Sequence, residues 1–383
     1  MNLDHNAGGR ARPEVIDAVA DFLRGAVANP SSVHAAGRHA RDAIEDARDA
    51  VAALVGARAA EVVFTSGGTE ANNLAVRGVA ADATHVVSTA IEHASVARPL
   101  DALRAAGCDV TLLEPACDGT VTAAQVAGAL RDDTRLVTIG WANGEIGTIQ
   151  PVVEIAEAVR ARSPGVVLHS DAVQAAGSCA IDLDRARLDL LSLSGHKLGA
   201  LPGVGALIVR EGARLTPQLL GGPHERERRA GTENVPGIVG FGVAARLARA
   251  EREELLRHVR AVRERLHGIL AAETSPLVVH GPADGLPGTL SVGFPGLRAD
   301  ALVIALDLEG VAAATGPACA AGAAEPSHVL RAIGCDDALA RATLRLSFGS
   351  DLSLDDAERA ARIVAAVVAR ARGGRGAQVG HAA

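Results

Sequence analysis

Short apolar runs alternate with segments of helical periodicity from residue 61 to residue 210. Seven runs have this character: EVVFT (61–65), HVVST (85–89), VTLLE (110–114), RLVTIG (135–140), VVLHS (166–170), LDLLSLS (188–194) and GALIVR (205–210). Runs that are apolar throughout are typical of strands buried on both faces, and intervening helices favour parallel pairing. The pattern predicts an α/β fold with a mostly parallel, seven-stranded sheet wrapped by helices.

Two longer helical segments divide the chain. Residues 34–55 are amphipathic and end at Gly56, and a charged helical stretch runs from about residue 236 to 273. The second stretch resembles a connector between domains. We therefore expect a large domain of residues 15–255 and a smaller α+β domain built from residues 1–14 and 256–370. A disordered tail of residues 371–383 is expected to follow.

Charge and cysteine content exclude several function classes. The 38 basic and 45 acidic residues give a net charge of −7 and are interspersed, so we expect no direct nucleic-acid binding. No apolar run reaches the roughly 18 residues that span a bilayer, so we expect no membrane association. The cysteines form no CxxC pair or metal-ligand spacing, and they stand at positions 108, 117, 179, 319 and 335. Free thiols in a reducing cytoplasm and no bound metal are the simplest interpretation.

Two strand ends carry groups suited to an anion and a cation. In FTSGGTEANN (64–73), Gly68 and Thr69 follow a strand at the start of a helix, where free amides and the helix dipole favour phosphate. In LHSDAVQAAG (168–177), Asp171 directly follows a buried strand and Gln174 lies one turn later. A buried carboxylate needs a cationic partner or several donors. Ordinary helix capping is the alternative at both places.

Two further strand ends carry an amine and an imidazole. Lys197 leaves the apolar strand of SLSGHKLGALPGVGALIV (192–209) through Ser194 and His196. A lysine in dry surroundings loses its charge readily and can form a Schiff base, whereas a solvated loop lysine is the alternative. His93 begins a helix in STAIEHASV (88–96), where a structural role is the alternative. A phosphate cradle, a carboxylate, an imidazole and a reactive lysine are together what pyridoxal phosphate (PLP) requires.

At this point the chain resembles a known family. NPSSVHAAGR, VFTSGGTEANNLAVRG, IEHASV, GEIGTIQPV, HSDAVQAAG, SLSGHK, GGPHERERRAGTENV and ACAAGAAEPSHVLRAIG occur in the order found in cysteine desulfurases. These enzymes are a class V branch of the fold-type I PLP-dependent transferases. The resemblance runs from residue 3 to residue 349. It implies a PLP-dependent enzyme that converts L-cysteine to L-alanine and passes sulfur onward.

The resemblance also implies a role for each matching position. Lys197 would carry PLP, Asp171 would pair with the pyridine nitrogen, and Gln174 would bond the ring hydroxyl. His93 would stack on the ring and move protons. The phosphate would be held by Gly68, Thr69, Ser194 and His196. Arg345 would grip the substrate carboxylate in a bidentate pair, and Asn143 would assist.

Cys319 and Thr232 match the positions that imply partners. Cys319 would accept the substrate sulfur as a persulfide, and its Ala- and Gly-rich loop matches the long-loop housekeeping and nitrogenase-type members. A small buried hydrophobe is the alternative for this cysteine. Such a loop implies a sulfur-acceptor or scaffold protein. Thr232, in GTEN, would reach the phosphate of a neighbouring subunit, which implies a homodimer with shared sites.

Several positions depart from the family pattern around the substrate. Gly8 and Gly9 replace two threonines, Gly144 replaces an asparagine, Pro317 stands two residues before Cys319, and Glu227 replaces a common glycine. Asn143 or water could compensate for Gly144. These changes leave open a divergent class V enzyme, such as a C–S lyase, aminotransferase or epimerase, that acts on another amino acid. A non-catalytic sulfur carrier is a third possibility.

Overall fold

Seven strands form the larger of two sheets in a computed structural model of the protein. The structure describes residues 1–25, 28–80, 82–316 and 325–378. The seven strands are β1 (Val62–Thr65), β2 (His85–Thr89), β3 (Asp109–Leu113), β4 (Thr134–Thr138), β5 (Val167–Asp171), β6 (Leu190–Ser194) and β7 (Gly205–Val209). Each coincides with one of the seven apolar runs, so the predicted sheet is confirmed.

The strand order places the ends of six strands at one edge. The order is β1-β7-β6-β5-β4-β2-β3, and β7 alone runs antiparallel to its two neighbours. Because β1 to β6 point the same way, their carboxyl ends meet at one edge of the sheet. Binding sites in such sheets collect at this edge.

Helices cover both faces of the large sheet. The helix bounds are α1 (Pro13–Arg24), α2 (Ala35–Val55), α3 (Gly68–Ala80), α4 (Ala94–Ala105), α5 (Ala123–Ala129), α6 (Val152–Arg162), α7 (Leu183–Ala186), α8 (Val235–Glu273), α9 (Ala299–Leu308), α10 (His328–Ala332), α11 (Asp337–Ala340) and α12 (Leu354–Gln378). The α2 helix ends as expected at Gly56, whose φ of 70° is the left-handed conformation typical of a helix C-terminus.

A second, antiparallel sheet has its own core. It contains β8 (Val278–His280), β9 (Thr289–Gly293) and β10 (Thr343–Ser347) in the order β10-β9-β8. The N-terminal segment joins this sheet, because Ser347 N donates to the carbonyl oxygen of Leu3 at 2.8 Å. The core beneath it is separate from the cores on the large sheet and includes Leu3, Phe294 and Leu344.

The α8 helix contributes to both cores. Phe241 in its first half packs into the core under the large sheet, whereas Leu266 in its second half packs into the core of the small sheet. At the C-terminus, α12 continues to Gln378, so residues 371–378 of the segment expected to be disordered lie in a helix. The domain bounds themselves remain a prediction. Among the described residues, no helix combines the length and apolar character that a bilayer crossing requires.

Candidate active site

Asp171 lies at the carboxyl end of β5 and is 7% exposed. Its Oδ2 accepts a hydrogen bond from Asn72 Nδ2 at 2.7 Å, and its Oδ1 accepts one from Val173 N at 2.9 Å. Desolvation raises the pKa of this carboxyl group, while the Val173 amide, His93, Asn72 and Lys197 act in the opposite direction. A cationic N–H placed against it would offset the cost of burying its charge.

Lys197 stands three residues beyond the end of the neighbouring strand β6, in a short 3-10 turn (Gly195–Leu198). It is the only lysine in the chain, since every other basic residue is arginine or histidine. Its Nζ donates to the carbonyl oxygen of Ala7 at 3.0 Å and to that of Asn6. Electrostatic interaction couples Lys197 to both Asp171 and His93, so the three side chains predicted from separate strand ends do converge.

The start of α3 and the end of β6 form the predicted phosphate cradle. A Cβ atom on Gly68 would lie 2.6 Å from Cγ2 of Val173, so glycine lets the helix start approach the β5 end. The free amides of the first helical turn therefore lie next to Ser194, whose hydroxyl group is 2.8 Å from His196 Nδ1. Thr69 is exposed at the same turn. This arrangement supplies several donors to one anion.

His93 caps the start of α4 after the end of β2. Its Nδ1 accepts from Ser95 N at 3.1 Å and lies 2.7 Å from Ser95 Oγ. The residue before it, Glu92, was not anticipated from the sequence. Both oxygens of Glu92 accept from Gly140 N, at 3.0 and 3.1 Å, and Thr89 Oγ1 donates to one of them. Burial raises the pKa of Glu92 to about 7.

Gly144 faces two amide side chains. A Cβ atom at this position would lie 2.7 Å from Cδ of Gln174. Asn6 donates from Nδ2 to the carbonyl oxygen of Gly144 and to Thr289 Oγ1, both at 2.8 Å. Gln174 in turn donates to the carbonyl oxygen of Asn6 at 3.0 Å. The space beside Gly144 is thus lined by side chains from other segments of the chain, namely Asn6 and Gln174.

The side chain of Asn143 forms hydrogen bonds within its own loop and to Ile91. Its Nδ2 donates to the carbonyl oxygen of Ile91 at 3.1 Å, and its Oδ1 accepts from the amides of Glu145 and Ile146 at 2.9 and 3.1 Å. We expected this side chain to face the substrate and to compensate for Gly144. These internal hydrogen bonds shape the loop next to Gly144, and a contact between Asn143 and the substrate stays a prediction.

Gly9 makes room for another ring. A Cβ atom at this position would lie 2.9 Å from His5 Nδ1, and His5 Nε2 lies 2.6 Å from Asp351 Oδ1. Gly8 has more space, because its nearest neighbour, His196 Cδ2, would be 3.7 Å from an added Cβ atom. Glycine at position 9 therefore leaves the space that the imidazole ring of His5 occupies.

Arg345 lies on β10 of the small sheet, opposite Ser291 of β9, and is 4% exposed. Its Nη2 donates to Asp4 Oδ1 at 2.7 Å, while its Nε is buried without a hydrogen-bond partner among the described residues. Among the described residues, Oε1 of the nearby Glu145 also has no hydrogen-bond partner, and burial raises the pKa of this carboxyl group to about 7. A buried guanidinium with an open N–H is suited to an incoming carboxylate.

The loop that carries Thr232 is fastened by a buried ion pair. Arg48 donates from Nη1 and Nη2 to the two oxygens of Glu225, at 2.9 and 3.0 Å. Three successive residues of this loop have positive φ, and Glu227, with φ 64°, is one of them. That conformation explains why glycine suits position 227. Thr232 itself is exposed. Pro317 and Cys319 lie outside the described residues.

The residues present fit PLP. The buried carboxyl group of Asp171 suits a pyridinium nitrogen, and the α3 amides suit a phosphate. The only lysine of the sequence follows β6 at the same edge of the sheet. Among the described residues, Asn72, Ser95, Asn6 and Asp4 also belong to the site and were not predicted. Asn72 lies in the motif that contains Thr69, and Ser95 lies in the motif that contains His93. Their nearness in sequence to those residues was the available signal.

Comparison with known proteins agrees with this geometry. The family model "Aminotransferase class-V" matches residues 1–359, and this family implies PLP as cofactor. "Putative cysteine desulfurase IscS 1" of Bacillus subtilis is 41% identical over 374 residues, which cover 96% of this chain and 98% of the relative. A solved "NIFS-like protein" superposes with a TM-score of 0.91 at 31% identity, covering 97% of this chain and 99% of its own.

A further solved structure is a complex with an amino acid. "SspA in complex with cysteine" superposes with a TM-score of 0.80 at 33% identity, covering 91% of this chain and 98% of its own. The fold is therefore that of the NifS-like, fold-type I PLP enzymes, as the resemblance implied. The extent and level of these matches show that the chain belongs to the class V aminotransferase family, as an IscS-like cysteine desulfurase.

Proposed function

We propose that the protein removes sulfur from L-cysteine with PLP held on Lys197 and delivers it, through a persulfide on Cys319, to an acceptor protein. The observation that supports this best is the position of the chain's only lysine at the sheet edge, coupled electrostatically to Asp171 and His93. Every other long basic side chain in the sequence is an arginine. Lys197 therefore supplies the single lysine amine, at the place where PLP would be attached.

Each side of the cofactor would meet a different part of the chain. Asp171 would hold the pyridine nitrogen in its protonated form, and Gln174 would bond the ring hydroxyl. The α3 amides, Thr69, Ser194 and His196 would bind the phosphate. Bound in this way, PLP supplies an electron sink for the substrate's bonds. Gly68 contributes by allowing the helix start to approach the β5 end.

The substrate would be oriented from the small sheet. Arg345 would bind the carboxylate of L-cysteine through its open Nε, and Asp4 would hold the guanidinium in place. Asn143 would act indirectly, by shaping the loop next to Gly144. The complex of SspA with cysteine supports an amino-acid ligand of this kind.

The sulfur transfer balances without an added oxidant. The Cys319 thiolate would attack the substrate sulfur, so that the S–S bond forms as the substrate Cβ–S bond breaks. The electron pair of the broken bond would stay with the substrate, and Cβ would gain a proton to give L-alanine. The outer sulfur of the persulfide would then pass to a sulfur-acceptor or scaffold protein. A homodimer in which Thr232 reaches the partner's phosphate, and a cytoplasmic location, are parts of the same proposal.

Two mass measurements test the cofactor and sulfur steps separately. Borohydride reduction of the PLP-loaded protein should attach the cofactor to the peptide that contains Lys197. Incubation with ³⁴S-labelled L-cysteine should give L-alanine and one added labelled sulfur on Cys319. Cys319→Ser should abolish the sulfur transfer. Cys117→Ser, which removes an exposed thiol outside the described site, is the matched control and should behave as the unaltered protein.

The other outcomes point to the alternatives. Pyruvate and ammonia with unmodified Cys319 would indicate a C–S lyase. A reduced PLP adduct on Lys197 without any reaction of L-cysteine would indicate a class V enzyme for a different amino acid. No PLP adduct at all would favour a non-catalytic sulfur carrier and would overturn the proposal.

A further inference from the structure

A continuous hydrogen-bonded path joins Asp171 to His93 through two residues with no assigned role. Asn72 on α3 donates from Nδ2 to Asp171 Oδ2 at 2.7 Å and to Ser95 Oγ at 2.8 Å. Ser95 on α4 lies with Oγ 2.7 Å from His93 Nδ1. The group that would face the pyridine nitrogen and the imidazole that would stack on the ring are therefore connected inside the protein.

The direction of each hydrogen bond follows from what each group can do. An ionised carboxylate only accepts, so the amide nitrogen of Asn72 must face Asp171. The same nitrogen donates to Ser95 Oγ, which leaves the single Ser95 hydroxyl hydrogen for His93 Nδ1. The backbone N–H of Ser95 also points at Nδ1, from 3.1 Å. With two donors directed at it, Nδ1 acts as the acceptor and carries no hydrogen.

Asn72 shows that this arrangement has a cost. The residue is fully buried, and its Oδ1 has no hydrogen-bond partner among the described residues. Leaving a buried carbonyl oxygen unpaired is unfavourable. The two bonds donated by Nδ2 are the interactions for which an asparagine is needed at this position, since an apolar residue would leave both Asp171 and Ser95 without this donor.

We propose that Asn72 and Ser95 are positioning residues that hold His93 as a neutral imidazole with its hydrogen on Nε2. The Nε2 atom has no hydrogen-bond partner among the described residues, and His93 is exposed. The ring therefore meets a bound molecule as a hydrogen-bond donor. The catalytic meaning of this inference rests on the proposed function, whereas the hydrogen placement does not.

The electrostatic surroundings are consistent with a neutral ring. Desolvation lowers the pKa of His93, and so do the positive charges of Lys197 in the 3-10 turn and of His328 in α10. Asp171 in β5 acts in the opposite direction. The carboxyl group of the adjacent Glu92 bonds Gly140 and Thr89 rather than the imidazole.

Nitrogen NMR of the full-length protein labelled with ¹⁵N-histidine tests the inference directly. The His93 signals are identified by their loss in His93→Gln, and spectra are taken with and without PLP. At neutral pH we expect the Nε2–H tautomer, with Nδ1 shifted away from the value of a free acceptor by its hydrogen bonds. In Ser95→Ala the Nδ1 signal should move toward that free value, and in Ser95→Thr, which keeps the hydroxyl, it should stay.

A matched control and two contrary outcomes complete the test. Ser291→Ala removes a buried hydroxyl that has no partner among the described residues, and it should leave the His93 signals unchanged. An Nδ1–H tautomer in the unaltered protein would overturn the inference, as would identical His93 signals in Ser95→Ala. Desulfuration is assayed separately on the same samples, so failure of the proposed function would leave the NMR result interpretable.

Discussion

The two ends of the candidate active site differ in how their side chains are held. At the cofactor end, Asp171, Lys197 and His93 follow strands of one sheet and are joined by buried hydrogen bonds or by charge interaction. At the substrate end, Gly144 has no side chain, and Asn6 and Gln174 from other segments line the space. The comparison teaches that the sheet positions the cofactor end, whereas contacts between distant segments shape the substrate end.

The largest effect is expected at the cofactor end. Lys197→Ala and Lys197→Arg should both reduce turnover of L-cysteine by about a thousandfold or more, because neither side chain can form a Schiff base or return a proton. Steady-state kinetics with PLP in excess measures this. Turnover near the original rate in either variant would show that the cofactor end does not hold the chemistry.

The next effect belongs to the substrate end. Arg345→Gln should lower kcat/KM for L-cysteine by about 10- to 100-fold, since a hydrogen bond to a charged group contributes about 1.5–3 kcal/mol. Cysteamine, which lacks the carboxylate, serves as the comparison ligand. If Arg345 binds the carboxylate, its loss should not weaken cysteamine binding, measured by displacement or calorimetry. Equal weakening for both ligands would assign Arg345 a structural role.

A buried carboxyl group at each end gives a pH-dependent comparison. The pKa values of Glu92 and Glu145 are both raised to about 7 from 4.5. Their contribution to stability is fully present below pH 4.5 and is lost as the pH rises to about 7, by at most about 3 kcal/mol each. Glu145→Gln should therefore gain stability relative to the unaltered protein between pH 5 and pH 8.

Glu92→Gln should gain less than Glu145→Gln over the same range. Both oxygens of Glu92 accept a hydrogen bond, so an amide there loses an acceptor, whereas Glu145 has an oxygen without a partner. Denaturant unfolding at the two pH values, at one protein concentration, measures the difference. An equal or larger gain in Glu92→Gln would show that the two carboxyl environments are not distinguished by their hydrogen bonds.

The space beside Gly144 can be tested by introducing an asparagine at this position. Gly144→Asn should destabilise the protein by about 1–3 kcal/mol, because the new side chain meets Gln174. Gln174→Ala should relieve this, so a double-mutant cycle of stability should give a coupling of at least about 0.5 kcal/mol. Additive effects in the cycle would mean that Gln174 does not fill the space at residue 144.

The smallest effect is expected in the loop of Thr232. Glu227 has φ 64° and is exposed, so Glu227→Gly should relieve backbone strain. The greater chain entropy of glycine when unfolded offsets part of the gain, which leaves about 0.5 kcal/mol. Arg228→Gly, at a residue with φ −92°, is the matched control and should destabilise. A fall in the unfolding midpoint of Glu227→Gly would contradict the strain.

The fold and the cofactor end could be predicted because their signals are local in sequence. Each strand is an apolar run, and Asp171, Lys197 and His93 each lie at or shortly after the end of one. The substrate end depends on contacts that the sequence does not reveal, such as the bond between Asn6 and Gly144, which are 138 residues apart. The same reason explains Asp4 beside Arg345, and the bond from Asn143 to the carbonyl oxygen of Ile91, which lies 52 residues away.

The shared helix α8 makes the chain indivisible. Its 39 residues extend over about 58 Å, and one continuous rod supplies a wall to each of the two cores. Cutting the chain in the middle of α8 would leave both fragments with an apolar surface and no cover. Loss of either core should therefore bring down the other in one cooperative transition, and attempts to express the two halves separately should give aggregated material.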